Sequence, residues 1–186
     1  MRTIDQTTIL VTGATDGLGR GVAERLAGTG ATLHLHGRDP GKLSQTAEAI
    51  RASSGNDRIH THRADFAALD EVRALAADVE RSTDALHLLV NNAGIGSGRP
   101  DGTTRQESRD GHELRFAVNY LAGFVLTLRL LPLLRRSAPA RIVNVASLGQ
   151  APLDFDDPML HSRYGGTRAY SQSRHPGLPS TAPCRA

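Results

Sequence analysis

The fold is decided by one stretch near the N-terminus, Thr8-Ile-Leu-Val-Thr-Gly-Ala-Thr-Asp-Gly-Leu-Gly19. A short apolar, β-branched run leads here into a glycine-rich turn, and the turn opens a helical pattern over 22–27. Glycines let the backbone approach a pyrophosphate closely, and a helix N-terminus supplies free N–H groups with a partial positive charge. Taken alone, such a turn is also compatible with an ordinary tight connection between a strand and a helix.

The rest of the chain repeats this alternation of strand and helix. Apolar runs predict strands over 8–12, 32–36, 58–62, 85–90 and 141–146, and helical periodicity predicts helices over 22–27, 42–52, 69–81 and 112–135. Such alternation is typical of the α/β class, in which a parallel sheet carries helices on both faces. Right-handed crossovers then place a ligand crevice at the carboxyl ends of the strands, so the residues directly after each strand are candidates for a binding site.

Polar motifs stand at these strand ends. Asn91-Asn92-Ala93-Gly94 follows the fourth strand, and Ser147 follows the fifth. Asn119 lies in the long helix, and Tyr170-Ser-Gln-Ser-Arg174 comes later in the chain. Together with the glycine-rich turn, these motifs resemble those of the short-chain dehydrogenase/reductase family in both order and position. The resemblance covers about residues 7–174.

The family resemblance implies a Rossmann-type doubly wound parallel sheet in three α/β/α layers, with residues 1–174 forming one dinucleotide-binding domain. The spacing between Ser147 and Tyr170 is similar to that of a subgroup with retinol dehydrogenase-like and protochlorophyllide reductase-like enzymes. The implied activity is hydride transfer between a nicotinamide dinucleotide and a small carbonyl or alcohol substrate. Substrates in this subgroup tend to be lipophilic. The acidic insertion 154–157 fits the subgroup and otherwise has the character of a surface loop.

The resemblance also implies roles for individual residues. Tyr170 would act as general acid or base, Ser147 would hold the substrate oxygen, and Asn119 would hold a helix backbone open to a chain of water molecules. An ordinary asparagine in a helix interior is the alternative for Asn119. The cofactor would be bound by ten residues: Gly13, Asp16, Gly17, Leu18, Gly19, Arg38, Asp65, Asn92, Ala93 and Gly94.

The end of the second strand bears on the choice between NADP(H) and NAD(H). An acidic residue there would accept hydrogen bonds from the adenosine ribose, whereas a basic residue would pair with a 2′-phosphate. The resemblance puts Arg38 at this position, which favours NADP(H), while Asp39 keeps NAD(H) open. A solvated arginine in a loop is the alternative for Arg38. Asp65, after the third strand, resembles the family's adenine-contacting aspartate.

Two features depart from the family pattern. Arg174 replaces the family lysine, and a guanidinium keeps its charge but cannot give up a proton at any accessible pH. Tyr164 and Arg168 form a second pair at the same offset, although Tyr170 has the better family context. The chain also stops before the last two strands of the family fold, so we expect an incomplete domain, an exposed edge at the fifth strand and an unstructured tail over 175–186. An inactive protein that only binds the dinucleotide is therefore the alternative function.

Composition argues against several other classes of protein. The net charge is +3, and the 22 basic residues are spread along the chain without a basic run, which argues against nucleic-acid binding. The most apolar stretch, Phe124 to Leu134, is interrupted by Arg129 and Pro132, so we predict no membrane span. The N-terminus lacks the apolar core of a signal peptide, which makes the cytoplasm the default location. A homo-oligomer is compatible with the family.

Histidines on two strands raise one further possibility. His34 and His36 alternate on the second strand, and His60 and His62 alternate on the third. Alternate strand residues share a face and these strands should be adjacent, so the two pairs could ligate zinc. Histidines on strands are more often packed or surface residues, and no feature of the family supports a metal, so we predict none.

Overall fold

The computed structural model describes residues 3–98, 102–174 and 181–184 of the 186-residue chain. Within these ranges the strands are β1 Thr8–Val11, β2 Thr32–Gly37, β3 Ile59–Arg63, β4 Leu88–Asn91, β5 Ala140–Asn144 and β6 Thr181–Cys184. The helices are α1 Gly17–Ala27, α2 Pro40–Ser54, α3 Leu69–Ser82, α4 Leu114–Phe116, α5 Ala122–Arg136 and α6 Gly166–Ser173. A short 3-10 turn, Ile4–Gln6, precedes β1, and a π-helical segment, Ala117–Leu121, joins α4 to α5 without a break.

The strands form one sheet in the order β3-β2-β1-β4-β5-β6, and the first five run parallel. The chain proceeds outward from β1 through β2 to β3 and then returns to place β4 on the other side of β1. The predicted α/β fold with a doubly wound parallel sheet is therefore confirmed. Because the strand order reverses between β1 and β4, a crevice is expected where the carboxyl ends of these two strands diverge.

Helices cover both faces of the sheet, and the alternation of side chains along β1 divides the core between them. Leu10 packs into a cluster with leucines of α3 and α5, whereas Ile9 and Val11 pack into a second cluster with residues of α1 and α2. Successive residues of a strand point to opposite faces, so one short strand contributes to both clusters. Burial on both faces explains why β1 is an apolar run without polar alternation.

The predicted elements agree with the structure to within a few residues, with two informative differences. The first helix begins at Gly17 rather than at residue 22, because the Asp16 carboxylate accepts a hydrogen bond from Gly17 N at 2.7 Å and caps the helix. The helix predicted over 112–135 contains the π-helical segment Ala117–Leu121. Apolar periodicity cannot reveal this segment, since one extra residue in a turn leaves the pattern nearly unchanged.

The prediction of an exposed edge at β5 is wrong, and the prediction of an unstructured tail is wrong for residues 181–184. Thr181–Cys184 form β6, which pairs antiparallel with β5. The unpaired N–H and C=O groups of an edge strand are a ready template for such pairing, and proline is tolerated on an edge strand. Residues 175–180 and 185–186 of the predicted tail lie outside the described residues.

One helix bears on the predicted absence of a membrane span. The continuous helical stretch Leu114–Arg136 is long and apolar enough, by length and composition alone, to cross a bilayer. Four of its leucines are nevertheless buried in the core beside α3, as in the central helix of a soluble domain: Leu126, Leu130, Leu133 and Leu134. The absence of a span, the cytoplasmic location and a homo-oligomer stay predictions.

The packing of α5 gives a first testable prediction. Leu130 has no exposed surface, whereas Leu128 on the same helix is 52% exposed. We expect Leu130→Ala to lower the free energy of unfolding by about 2–5 kcal/mol, because it removes buried methyl groups and leaves a cavity. Leu128→Ala is the matched control and should change the free energy of unfolding by no more than about 0.5 kcal/mol. Urea unfolding of both variants measures the difference, and equal losses would contradict the observed orientation of α5.

Candidate functional site

A cleft of about 1080 Å³ opens at the carboxyl ends of the parallel strands. All ten residues that the sequence assigns to cofactor binding line this cleft. They come from the glycine-rich turn and from the ends of β2, β3 and β4, so the strand order of the sheet is what brings them together. Their individual contacts with a cofactor stay a prediction.

The glycine-rich turn is packed so closely against the end of β4 that side chains have no room. Gly13 has a positive φ of 64°, and a Cβ atom built on it would lie 2.8 Å from Ala93 Cα. A Cβ on Gly19 would overlap the Gly13 carbonyl oxygen and the Asn92 side-chain amide. Glycine at both positions is thus required by the approach of two backbone segments and not only by the turn conformation.

Thr12, the last residue before the turn, joins the two central strand ends. Its Oγ1 accepts hydrogen bonds from Asn92 N at 2.9 Å and Ala93 N at 3.0 Å, and it donates to Val90 O at 3.1 Å. The Asn92 side-chain amide in turn donates to the carbonyl oxygens of Thr12 and Gly13. The sequence analysis missed Thr12, although a hydroxyl at the end of a buried strand is a signal that could have identified it.

His36, at the end of β2, holds the turn from the other side. Gly13 N donates to His36 Nδ1 at 3.2 Å, so Nε2 carries the proton and donates to Ala64 O at 3.1 Å. The ring also stacks on Phe66, with centroids 4.3 Å apart. Burial and, to a lesser extent, nearby His62 lower the pKa of His36 to about 4, while the hydrogen bond to Ala64 O opposes the shift. A neutral imidazole thus links the carboxyl ends of β1, β2 and β3.

Charged residues gather at the β2 and β3 end of the cleft. Arg38 is exposed and lines the cleft, and so does Lys42 on α2. The Asp39 carboxylate caps α2 by accepting a hydrogen bond from Lys42 N at 2.9 Å. Asp65 accepts a hydrogen bond from Ala67 N at 3.0 Å and lies 3.8 Å from the Arg109 guanidinium. This end of the cleft therefore presents the positive charges of Arg38 and Lys42, while the Asp39 carboxylate already accepts the hydrogen bond that caps α2.

Asn119 lies within the π-helical segment and hydrogen-bonds to Ile95 in the segment 94–98, which lines the cleft and is called the cleft wall below. Its Oδ1 accepts a hydrogen bond from Ile95 N at 2.7 Å, and its Nδ2 donates to Ile95 O at 3.0 Å and to Ser173 Oγ at 2.9 Å. A single-turn π-helical segment of this kind is often found at functional sites, because it widens the helix backbone. The structure thus places Asn119 between the cleft wall and α6, the helix that carries Tyr170.

Arg174 reaches from the end of α6 to the back of the cleft. Its Nη1 donates to Val145 O at 3.0 Å, and its guanidinium hydrogen-bonds to Tyr170 and lies against Gly94, where a Cβ atom would overlap it. Burial lowers the pKa of Arg174, and Tyr170 opposes this shift. An arginine nevertheless stays charged at neutral pH, so the cation at the family lysine position lies directly beside the tyrosine.

Ser147 is not joined to the other predicted catalytic residues. Its half-buried hydroxyl accepts a hydrogen bond from Gly149 N at 3.2 Å and, among the described residues, forms no hydrogen bond with Tyr170. Arg174 and Asn119 meet behind Gly94, and neither they nor Tyr170 line the cleft. Among the described residues, Asn119 is linked to the backbone of Tyr170 through Ser173, whose Oγ donates to Tyr170 O at 2.8 Å, whereas no hydrogen bond joins Ser147 to either residue.

The alternative pair of Tyr164 and Arg168 does not assemble. Tyr164 OH accepts a hydrogen bond from Arg115 Nη1 at 2.6 Å and donates to Glu113 Oε1 at 3.2 Å. Arg168 pairs instead with Asp154 at 2.8 Å, which also fixes the acidic insertion against α6. The sequence analysis missed Glu113 and Arg115, because nothing in the motifs of the chain marks a buried ion pair.

The histidines of β2 and β3 do not form a metal site within the described residues. His34 Nδ1 and His62 Nε2 lie 2.8 Å apart in a hydrogen bond, and His34 also stacks on His60 with ring centroids 4.8 Å apart. Both nitrogens of His36 are engaged as described above. Burial lowers the pKa of His34 to about 3 and that of His62 below its usual range. The rings of His34, His36 and His62 are therefore packed as neutral groups inside the domain.

Comparisons with known proteins add independent information. A family model described as short chain dehydrogenase matches residues 7–154, a range that ends before Tyr170. Human retinol dehydrogenase 13 is 38% identical over 175 residues, which cover 92% of this chain and 51% of that protein. Mouse polyprenol dehydrogenase is 40% identical over 171 residues, which cover 89% of this chain and 50% of that protein. The chain thus spans about half the length of the curated relatives it matches.

Solved structures give the same picture. A metagenomic short-chain oxidoreductase in complex with NADP superimposes with a TM-score of 0.71 at 29% identity, covering 90% of this chain and 70% of that one. A short-chain dehydrogenase from Sphingobium yanoikuyae in complex with NADPH gives a TM-score of 0.70 at 27% identity, covering 90% and 60%. The predicted family, its retinol dehydrogenase-like subgroup and the Rossmann-type fold are confirmed by these matches.

The neutral histidines give a prediction on the pH dependence of stability. His34, His36 and His62 have lowered pKa values in the folded protein, so below about pH 6.5 the unfolded chain binds protons that the folded chain does not. Stability should fall between about pH 6.5 and 4, by up to about 1.4 kcal/mol per pH unit for each histidine.

The variant His36→Asn isolates one of these contributions. Its side-chain oxygen can still accept a hydrogen bond from Gly13 N but does not titrate, so urea unfolding should show a shallower loss of stability from pH 6.5 to 5. His161 is exposed and lies outside the histidine cluster of β2 and β3, so His161→Asn is the matched control. If His36→Asn keeps the full slope of the original protein, the proposed neutral state of His36 is wrong.

Proposed function

The chain belongs to the short-chain dehydrogenase/reductase family, and from this we propose that it carries the dinucleotide site of an NADP(H)-dependent oxidoreductase. The proposed reaction is hydride transfer between the nicotinamide and a carbonyl or alcohol, and a lipophilic substrate is proposed from the names of the retinol and polyprenol dehydrogenases. The observation that carries the proposal is the one cleft that all ten expected cofactor residues line. Because the chain spans about half of its relatives, the activity is proposed for the whole protein.

The cleft fits a dinucleotide by its shape and by its donors. No Cβ atom can be accommodated at Gly13 or Gly19, so backbone alone faces the cleft there. Gly17, Leu18 and Gly19 form the first turn of α1 and line the cleft, so the N-terminal N–H groups and the helix dipole favour a pyrophosphate at this point. The Asn92-Ala93-Gly94 segment forms the opposite side and leads to the wall held by Asn119.

The preference for NADP(H) is proposed from charge at the β2 end of the cleft. Arg38 and Lys42 would pair there with a 2′-phosphate. In an NAD(H) site the Asp39 carboxylate, whose Oδ1 already accepts the hydrogen bond that caps α2, would have only Oδ2 left to accept from the ribose hydroxyls. Two of the structural neighbours named above are complexes with NADP or NADPH, which supports the same choice.

The catalytic end is proposed to move a proton at the Tyr170 hydroxyl. When bound, the nicotinamide supplies or accepts the hydride. Arg174 places a positive charge beside the Tyr170 side chain, and because a guanidinium does not release its proton, it acts as a fixed cation and not as a relay. Ser147 would hold the substrate oxygen, and the fully exposed Leu148 beside it offers apolar surface to a lipophilic substrate. Asn119 holds the wall and α6 at a fixed separation.

Titration of the purified chain with NADPH and NADH, followed by fluorescence, tests the cofactor proposal. We expect NADPH to bind more tightly, and Arg38→Ala to weaken NADPH binding about 10–100-fold while leaving NADH unchanged, since a charge-assisted hydrogen bond contributes about 1.5–3 kcal/mol. Exposed Arg25 on α1 gives the control Arg25→Ala, which should bind both dinucleotides as before. Failure to bind either dinucleotide, or equal binding of both, would refute the proposed cofactor.

Turnover with a panel of lipophilic aldehydes tests the chemistry. Tyr170→Phe should lower kcat about 10²–10⁴-fold with little change in the Kd for NADPH, because it removes the proton donor but no part of the cleft lining. Arg174→Gln should also lower kcat, whereas Arg174→Lys should keep a larger share of it because the charge remains. Tyr120→Phe is the control for loss of a hydroxyl. Binding of NADPH without turnover of any substrate would favour the alternative of an inactive dinucleotide-binding protein.

A further inference from the structure

Two side chains on one helix grip adjacent residues of the cleft wall, the segment 94–98 that lines the cleft. Asn119 holds Ile95 through both its N–H and its C=O groups. One turn earlier on the same continuous helix, Arg115 Nε donates to Gly96 O at 2.9 Å. Residues four apart on a helix lie on the same face, so the two side chains reach the wall side by side.

The same two side chains also reach the helix that carries Tyr170. Asn119 Nδ2 donates to Ser173 Oγ at the last residue of α6, and Arg115 Nη1 donates to Tyr164 OH, two residues before α6 begins. Tyr170 therefore lies between the points at which the two side chains hold this part of the chain. Asn119 and Arg115 form two parallel cross-links between the cleft wall and α6.

The packing at the start of α6 shows how closely the helix approaches the wall. Gly166, its first residue, donates its N–H to Gly102 O at 2.5 Å. A Cβ atom on Gly166 would overlap the Ser97 carbonyl oxygen. A small movement of α6 would therefore be transmitted to the wall directly, because backbone touches backbone there.

Glu113 supplies the negative charge that balances Arg115 in this cross-link. Arg115 is 4% exposed and Glu113 is 1% exposed, with Arg115 Nη1 and Glu113 Oε1 3.5 Å apart. Glu113 Oε2 accepts a hydrogen bond from Phe116 N at 2.7 Å, and Oε1 accepts from Tyr164 OH. Burial and the Glu113 charge raise the pKa of Tyr164, which keeps its hydroxyl protonated. A buried charge pair with satisfied partners fixes a geometry, and removal of one partner leaves the others unpaired.

We propose that Glu113, Arg115 and Tyr164 are positioning residues that hold the cleft wall and the Tyr170 helix at the separation required for hydride transfer. This proposal rests on the proposed function. Arg115 also lines the cleft, whereas Glu113 and Tyr164 are not among its lining residues, and all three act through the wall segment 94–98 and through α6. Displacement of reacting groups by about 1 Å can lower a rate about 10²-fold, so residues that hold the wall and α6 in place would affect kcat strongly.

The test compares Tyr164→Phe with Tyr120→Phe. Tyr120 lies on the same helical stretch as Arg115, and its ring is tilted against Phe116 and stacks on Phe124. Tyr164→Phe should lower kcat for the aldehyde substrates about tenfold or more while the Kd for NADPH changes by less than about twofold. Amide hydrogen exchange in peptides covering 94–98 should be faster in Tyr164→Phe than in Tyr120→Phe or the unaltered protein, since Arg115, which holds Gly96 O, loses its hydrogen bond to Tyr164.

A second variant tests whether the residues act as one unit. Arg115→Lys keeps the charge beside Glu113 but cannot reach both Gly96 O and Tyr164 OH, so it should show the same pattern in weaker form. The double variant of Arg115→Lys and Tyr164→Phe should be no slower than the slower single variant, because both break the same cross-link. Additive losses would overturn the proposal.

Other outcomes separate this proposal from the proposed function. If the unaltered protein turns over no substrate, the proposed function fails, and the hydrogen-exchange comparison alone then decides whether Tyr164 braces the wall. Faster exchange with unchanged kcat would overturn the positioning role. A fall in NADPH affinity parallel to the fall in kcat would indicate general loss of folded protein and would overturn it as well.

Discussion

Thr12 Oγ1 accepts two backbone hydrogen bonds from the end of β4, and the whole cleft depends on this contact. It fixes the distance between the two central strands at the point where the strand order reverses. The glycine-rich turn can follow only because Gly13 and Gly19 leave room for the backbone of residues 92 and 93. A larger side chain at either glycine would separate the strand ends and open the floor on which a pyrophosphate would lie.

The electrostatic character of the cleft changes along its length. At the glycine-rich turn the His36 imidazole is held neutral, because it is buried with one nitrogen accepting from Gly13 N and the other donating to Ala64 O. At the β2 end, Arg38 and Lys42 present positive charge. A site arranged in this way would hold phosphate groups through backbone donors in its centre and through cations only at its rim, which limits the cost of burying charge.

The opposite end is organised by buried cations with different partners. Arg174 replaces a lysine of the family pattern, and its guanidinium lies against Gly94 while it bonds to Val145 O and to Tyr170. Arg115 is neutralised by Glu113 and connects the wall with the segment before α6. The planar fork of arginine suits both places, since each side chain donates to groups in more than one direction.

The sequence by itself determined the α/β class, the family and ten of the residues that line the cleft, because strand-end motifs such as Asn92-Ala93-Gly94 need only the parallel alternation of elements to be placed at one edge. Arg38 and Arg174 could also be identified from their positions in the motifs. The sequence marked Thr12 only as a hydroxyl at the end of a buried strand, and it could not reveal the partners of Thr12, His36 or Arg115. These depend on contacts between residues far apart in the chain, such as Thr12 with Asn92 and Arg115 with Tyr164. Only the tertiary structure decides them, since hydrogen bonds between distant groups require distances that strand order and helix packing set together.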